Sequence, residues 1–314
     1  MKQDVISLDS ELGDAQKRYF SHGFSHFHFQ ISSFKLIGQH QMVGTVSIHY
    51  DGPQRPHHDP VHLGTMEYTA IAMFLTEGML IKQKRLTRQE INRSLLSSIS
   101  MHIKKSFTLT PDSELSFEIS ITDSSLNIKA INIGLTTLSI KIQDAQLHCV
   151  IDHPGPTQIG LPDFDLWPIQ EQALHRQVYK FRQLNISNIC LDQEKESISA
   201  QLSHPAAYPE QTWGVSSYSN CLSPLDSIMV SGQLMQVLLY RLLNSSRDQC
   251  PNIWLKGMEI QFDRPYHPAS YKVDLQFLSR HSTMLKGSSW QTIQLESQIG
   301  NMHARYKICH EMPR

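Results

Sequence analysis

Two carboxylates stand at the starts of two long apolar runs. Glu67 lies in "VHLGTMEYTAIAMFLTEGMLI" and Asp226 in "NCLSPLDSIMVSGQLMQVLLYRLL". Each occupies the third position of a predicted helix. Gly64 is the N-cap of the first helix; Ser223 caps the second, with Pro224 behind it. Acids there serve two ends. They complete a cap and complement the helix dipole, which needs no function. They also stand where unpaired backbone N–H groups could hold a carbonyl oxygen as negative charge develops on it. That chemistry suits a thioester or ketone. The amides around Thr65 and Leu225 would hold the oxygen, and a base would move a proton nearby. His62, two residues before Gly64, is the first candidate for that base; a loop histidine bonded to backbone is the alternative. The preceding loop, "RPHHDPVHLGT", also brings Arg55, His57, His58 and Asp59 close to Glu67 in sequence. Gln233 sits on an otherwise apolar face of the second helix, where a buried amide needs a partner such as a substrate. The candidate catalytic set is His62, Glu67 and Asp226. Arg55, His57, Thr65, Ser223, Leu225 and Gln233 are candidate substrate contacts.

Other chemistries fit less well. His57, His58 and Asp59 are adjacent and lack an established ligand spacing, so no metal site is expected. No G-x-G-x-x-G, G-x-x-x-x-G-K or G-x-S-x-G occurs, and no cofactor is implied. The run "RYFSHGFSHFHFQ" reads as strand with cross-strand pairs rather than as a base-stacking platform. Cys221 lies before the second helix, where a dipole favours thiolate, but a small buried hydrophobe is the preferred reading.

The elements that position these residues occur twice. "FHFQISSFKLIGQHQMVGTVSIHY" and "YKFRQLNISNICLDQEKESISAQLS" each read as two half-buried strands joined by a turn. A loop and an apolar helix follow each. Then comes a strand, "MHIKKSFTLT" or "IWLKGMEIQF". Three more strand-like runs close each half: "LSFEISIT", "LNIKAINI" and "LSIKIQDAQLHCVI" in the first, "YKVDLQFLS", "MLKGSSWQTIQLES" and "MHARYKICH" in the second. Both halves therefore read strand–strand–helix–four strands. A sheet that curls around one apolar helix is the hotdog arrangement. The expected fold is α+β, a double hotdog with its two sheets joined edge to edge. The expected units are residues 1–155 and 171–314, with the Pro/Gly-rich stretch 156–170 as linker.

Composition bounds the partners. The 314 residues carry a formal net charge of −1, which gives no electrostatic case for nucleic acid or an anionic membrane. No apolar run reaches bilayer length and the N-terminus is polar, so no membrane span or signal peptide is expected. The 5 scattered cysteines point to a reducing, cytoplasmic setting. A double hotdog either stays one chain or pairs further, which leaves a homodimer open.

Several segments resemble the avirulence D (AvrD) family. "SELGDAQKRYFSHGFSHF" resembles its opening L-G-x-A-x-x-R-F-F-G-x-G-[FY] pattern. "RPHHDPVHLGTMEYTAIA" is similar to its R-P-H-L-S-T-x-D-A segment, with an insertion before His62. "LSPLDSIMVSGQLMQVLLYRL" and "NIWLKGMEI" resemble its S-x-x-D-[AS]-x-x-x-x-x-Q-x-x-Q-x-L-L-Y and N-x-L-W-[ML]-R segments. The matches run from about Leu12 to Ile260. The resemblance implies a link to syringolide-type elicitors, built from a β-ketoacyl chain and a pentulose such as xylulose. It also implies similarity to hotdog proteins of the A-factor synthase type, which lead to butenolide signals. His62 takes the motif histidine, Asp226 the second acid, and Gln233 and Gln236 the helix amides. Glu67 stands where the family has an aspartate, and Gly64 replaces a serine.

The expected activity is that of a hotdog acyltransferase. It would join a β-ketoacyl thioester, on carrier protein or coenzyme A, to a ketose-type hydroxyl, with the chain along Met73 or Met229. Two alternatives stay open. One is a hotdog dehydratase or hydratase, although the pattern H-x-x-x-G-x-x-x-x-P is absent at His62. The other is a protein that binds an acyl or lactone ligand without catalysis.

Overall fold

A computed structural model describes residues 6–53, 60–111, 113–127, 133–155, 170–203, 207–217, 222–247, 249, 253–263, 268–285 and 287–312. The first half runs β1 (Phe27–Ile37), β2 (Gln41–Tyr50), the long helix α2 (Thr65–Lys84), a short α3 (Arg88–Arg93), then β3 (Leu95–Ile103), β4 (Ser113–Asn127), β5 (Ile133–Ile142) and β6 (Ala145–Pro154). A short α1 (Leu8–Leu12) precedes it. The second half repeats the order: β7 (Ile186–Asp192), β8 (Ser197–Ser203), α4 (Pro224–Leu242), β9 (Ile253–Phe262), β10 (Ser270–Leu285), β11 (Ser288–Ile299) and β12 (Met302–Glu311).

All 12 strands form one antiparallel sheet in the order β1-β2-β4-β5-β6-β3-β9-β12-β11-β10-β8-β7. The two halves of that order mirror each other about the β3–β9 pair, where Ser98 to His102 face Gln261 to Gly257. Matching bulges at Ile121/Asp123 in β4 and Phe277/Ser279 in β10 repeat the duplication in detail. The sheet wraps α2 and α4. Every residue of α2 from Thr65 to Ile81 is buried, which is why this helix is apolar nearly all round. The fold is the expected double hotdog, two helices in one continuous sheet. Among the described residues no helix is long and apolar enough to cross a membrane.

Three local readings are corrected. β3 begins at Leu95 and not at Met101; its serine-rich start hides the alternation. Residues beyond it bridge to the loop before α2 instead. "LNIKAINI" is not a strand of its own, because β4 runs through Asn127 and residues 128–132 lie outside the described set. "LSIKIQDAQLHCVI" is the β5–β6 hairpin, turning at Gln143 with φ 51°. Of the expected linker 156–170, only Gln170 is among the described residues.

Two buried histidines close the last strand of each half. His153 Nδ1 lies 2.8 Å from the Pro154 carbonyl and Nε2 2.9 Å from the Thr136 hydroxyl. His310 repeats this with the Glu311 carbonyl at 3.1 Å and the Gln291 amide at 3.4 Å. The carbonyl contacts make Nδ1 the protonated nitrogen of a neutral ring. Burial lowers both imidazoles below the ordinary 6.5, and the carbonyl bonds offset this only in part. Their contribution to stability is fully present above the unfolded value and lost as pH falls from there through the lowered native values. The melting temperature should therefore drop as pH falls from above 6.5 into the interval below it. A His153→Gln/His310→Gln protein should show a flatter dependence over that interval.

Candidate functional site

The segment before α2 is held by a small ladder of its own. Leu63 N–H donates to the Phe107 carbonyl at 2.9 Å and Leu109 N–H to the Val61 carbonyl at 2.8 Å. Between them His62 bridges Thr108, whose hydroxyl lies 3.1 Å from Nδ1. The His62 ring also meets the Trp254 ring edge-on, with centroids 4.9 Å apart. A histidine of the first half is thus seated against β9 of the second. Both residues line a cavity of about 790 Å³ between the halves, within the usual range for small-molecule sites.

One end of the cavity is the start of α2, at Gly64 and Thr65. Its floor is a face of α4, with Ile228, Ser231, Gly232, Met235 and Gln236. The far walls are Ile253–Lys256 of β9 and the facing parts of β10, β11 and β12, including Trp290, Tyr306 and Cys309. Burial raises the Cys309 thiol, partly offset by the nearby Lys256 ammonium. Tyr19 and Phe20 close the remaining side. Phe20 lies so close to α4 that a Cβ at Gly232 would come within 2.7 Å of its ring.

The two helix starts differ in kind. At α4, the Ser223 N–H and hydroxyl donate to Asp226 Oδ2 at 2.8 and 3.0 Å, and the Asp226 N–H donates to the Ser223 hydroxyl at 3.1 Å. Pro224 has no N–H to offer. Asp226 Oδ1 lies 3.4 Å from Arg182, whose guanidinium sits 4.1 Å over the Tyr208 ring. This start is sealed, and neither Asp226, Ser223 nor Leu225 lines the cavity. At α2, Gly64 N–H donates to Glu67 Oε2 at 2.8 Å and the Tyr19 hydroxyl donates to the same oxygen at 2.5 Å. Tyr19 supplies from a distance the hydroxyl that Ser223 supplies locally. A Cβ at residue 64 would lie 2.1 Å from the Tyr19 oxygen, so glycine and tyrosine occur here together. Gly64, having no side chain, accepts from none of the first N–H groups of α2.

Aligned on the two acids, Gln236 corresponds to Glu77. Gln236 lines the cavity, whereas Glu77 is sealed, accepting from His175 Nδ1 at 2.7 Å and from Val215 N–H at 2.8 Å. Trp213 packs beside it on Phe74, with centroids 6.3 Å apart. His175 and Val215 thus cover α2 at Glu77, the position that matches Gln236 on the open face of α4.

Of the candidates from sequence, the structure brings His62, Thr65 and Gln236 together at the cavity. Glu67 stands one shell back, through Gly64 and Tyr19. Gln233 satisfies its amide on its own helix, donating to the Met229 carbonyl at 3.3 Å, and Met73 and Met229 are core residues outside the lining. Arg55, His57, His58, Asp59 and Cys221 lie outside the described residues. Sequence reasoning missed Tyr19, Trp254, Trp290 and Arg182, whose partners are remote in the chain. The "RYF" match carried the one available signal for Tyr19. Among the described residues no three His, Cys, Asp or Glu side chains are grouped to hold a metal ion.

Two stability effects follow. Asp226→Asn strips the buried Arg182 of its counter-ion and should cost about 3 kcal/mol in urea unfolding. Gly64→Ser should cost about 1–3 kcal/mol by overpacking, and Tyr19→Ala in the same chain should return at least about 1 kcal/mol of it as coupling.

The family model described as Pseudomonas avirulence D protein (AvrD) matches residues 4–313. No curated protein matches the chain. Many solved structures show similarity, three of which illustrate the range. A conserved hypothetical protein from Mycobacterium tuberculosis, described as having a double hotdog fold, is 9% identical, with 80% of this chain and 82% of that chain covered and a TM-score of 0.43. The tesB protein of Mycobacterium avium subs paratuberculosis is 7% identical over 90% of this chain and 96% of that one, TM-score 0.41. An isomerase-inactive variant of the GphF DH1 domain is 11% identical over 92% and 98%, TM-score 0.44. The fold assignment rests on the strand order and helix placement of the chain itself.

Proposed function

Because the chain belongs to the avirulence D (AvrD) family, we propose that it is an acyltransferase that moves a β-ketoacyl group from a thioester to a hydroxyl of a small ketose such as xylulose. The observation that supports this most is the meeting, in one cavity, of His62, the start of α2 and the α4 face that carries Ile228 and Met235. The acyl chain lies along Ile228, Met235, Leu295 and Ile308. The thioester oxygen points at the N–H of Thr65, where the aligned peptide dipoles favour developing negative charge.

His62 takes the proton of the acceptor hydroxyl while Thr108 fixes its ring. The alkoxide oxygen bonds to the thioester carbon, and the negative charge passes to the carbonyl oxygen. Collapse of this intermediate breaks the C–S bond, and the proton on His62 goes to the departing thiolate. The products are ester and free thiol, with nothing oxidised. Glu67 and Tyr19 hold the Gly64 turn in place. Asp226 takes no part in this scheme, and its burial away from the cavity weighs against a dehydratase pairing of His62 with Asp226.

Incubation of the protein with β-ketoacyl N-acetylcysteamine thioesters and xylulose should give an ester detectable by mass spectrometry. His62→Gln should lower kcat by about 100- to 10,000-fold without a matching loss of folded protein. Asp226→Asn should leave turnover per folded molecule close to wild type. Absence of ester across several chain lengths and sugars sinks the reading, and release of free β-keto acid alone would make the protein a hydrolase.

A further inference from the structure

The cavity lining contains Arg247, Lys256 and Lys307, and no aspartate or glutamate among its described residues. The chain as a whole has 28 Lys and Arg against 29 Asp and Glu, so an acid-free lining is not a matter of composition. The other large cavity, around the β7–β8 turn, mixes Lys195, Arg241 and Arg305 with Asp192, Glu259 and Glu296. Sheet register gathers part of the positive set around one glycine. Gly257 of β9 pairs with Lys307 of β12 on one side and with His102 of β3 on the other. Directly opposed residues share a face, here the exposed face of the sheet at the cavity mouth, opposite the buried Met101 and Tyr306. His102 and Lys307 therefore flank a position with no side chain, and His102 Nδ1 lies 3.9 Å from where a Gly257 Cβ would be. The register shift at Lys307/Ile308 leaves Lys256 as the extra residue of β9 at this place. No described carboxylate forms an ion pair with Lys256, Lys307 or Arg247.

We propose that His102, Lys256 and Lys307, around the notch at Gly257, form a subsite for a phosphoryl anion, the phosphate on the pantetheine arm of the thioester donor. The notch accepts the anion, and the two ammonium groups bond its oxygens. Arg247 adds a third positive charge to the same lining. The subsite rests on the acyl-thioester reading only for the identity of the arm. Coenzyme A and a carrier protein both bring this phosphate.

Calorimetric titration of the full chain with 4′-phosphopantetheine and with pantetheine tests the subsite without turnover. The phosphorylated arm should bind about tenfold more tightly at low salt, with the difference shrinking as salt rises. Lys256→Gln/Lys307→Gln should reduce the ratio to within about twofold. Gly257→Ala, whose Cβ would make only ordinary contacts, should weaken 4′-phosphopantetheine alone. Equal binding of the two arms by the wild-type chain overturns the proposal. So does an unchanged preference in the double-lysine variant. Turnover of N-acetylcysteamine thioesters, which lack the phosphate, reports separately on the reaction. Loss of kcat/KM in the lysine variants with acyl-coenzyme A, with acyl carrier protein, or with both assigns the source of the arm.

Discussion

The ladder between β3 and β9 is the contact on which the rest of the molecule depends. Each half has a helix too apolar to face water and a sheet with an open edge. Pairing Ser98–His102 with Gly257–Gln261 removes both edges and brings the start of α2 over the middle of α4. The ladder is short, and its two ends are where a ligand could enter. Past Gly257, β9 continues with β12 alone, and its freed residues Ile253–Lys256 become the cavity wall. At the opposite end the freed start of β3 is taken up by Ser216, which accepts from Leu96 N–H and whose own N–H donates to the Ser94 carbonyl. One end is open and its mate is plugged, so a near-symmetric fold yields one asymmetric site.

The same asymmetry governs the two acids. Both accept a backbone N–H at the N-cap, as a capping carboxylate should. Around Asp226 the sequence supplies everything locally, with Ser223 as hydroxyl and Pro224 without an N–H, and Arg182 neutralises the charge. Around Glu67 the hydroxyl comes from Tyr19, on the segment that also wedges Phe20 against Gly232. That segment ties the α2 start to the α4 face, and Arg241 and Arg247 anchor its beginning through Glu11 and the Lys17 carbonyl. The α4 start is closed off by its own cap, whereas Gly64 and Thr65 at the α2 start line the cavity.

Element order, the aligned helix starts and the edge-to-edge joining of the sheets were legible in the sequence because period-2 and all-apolar patterns survive low identity. That His62 and Thr65 stand beside a helix start was legible for a local reason, and both line the cavity. That Asp226 is sealed against Arg182 was not legible, because "SPLDS" says nothing about Arg182. Gln233 and Gln236 lie three residues apart, yet one bonds its own helix and the other lines the cavity. Helical phase alone could not say which face stays covered. That choice is made by Trp213, His175 and Phe20, which are remote in sequence from what they cover.

The central claim is that catalysis has one seat, at the start of α2. A crystal structure with a non-cleavable β-ketoacyl analogue, with CH₂ in place of the thioester sulfur, tests it most directly. One molecule per chain is predicted, its carbonyl oxygen at the Thr65 N–H, His62 beside the carbonyl carbon and the chain along Ile228 and Met235. An analogue seated beside Asp226 at the start of α4, or at both helix starts, would contradict the account.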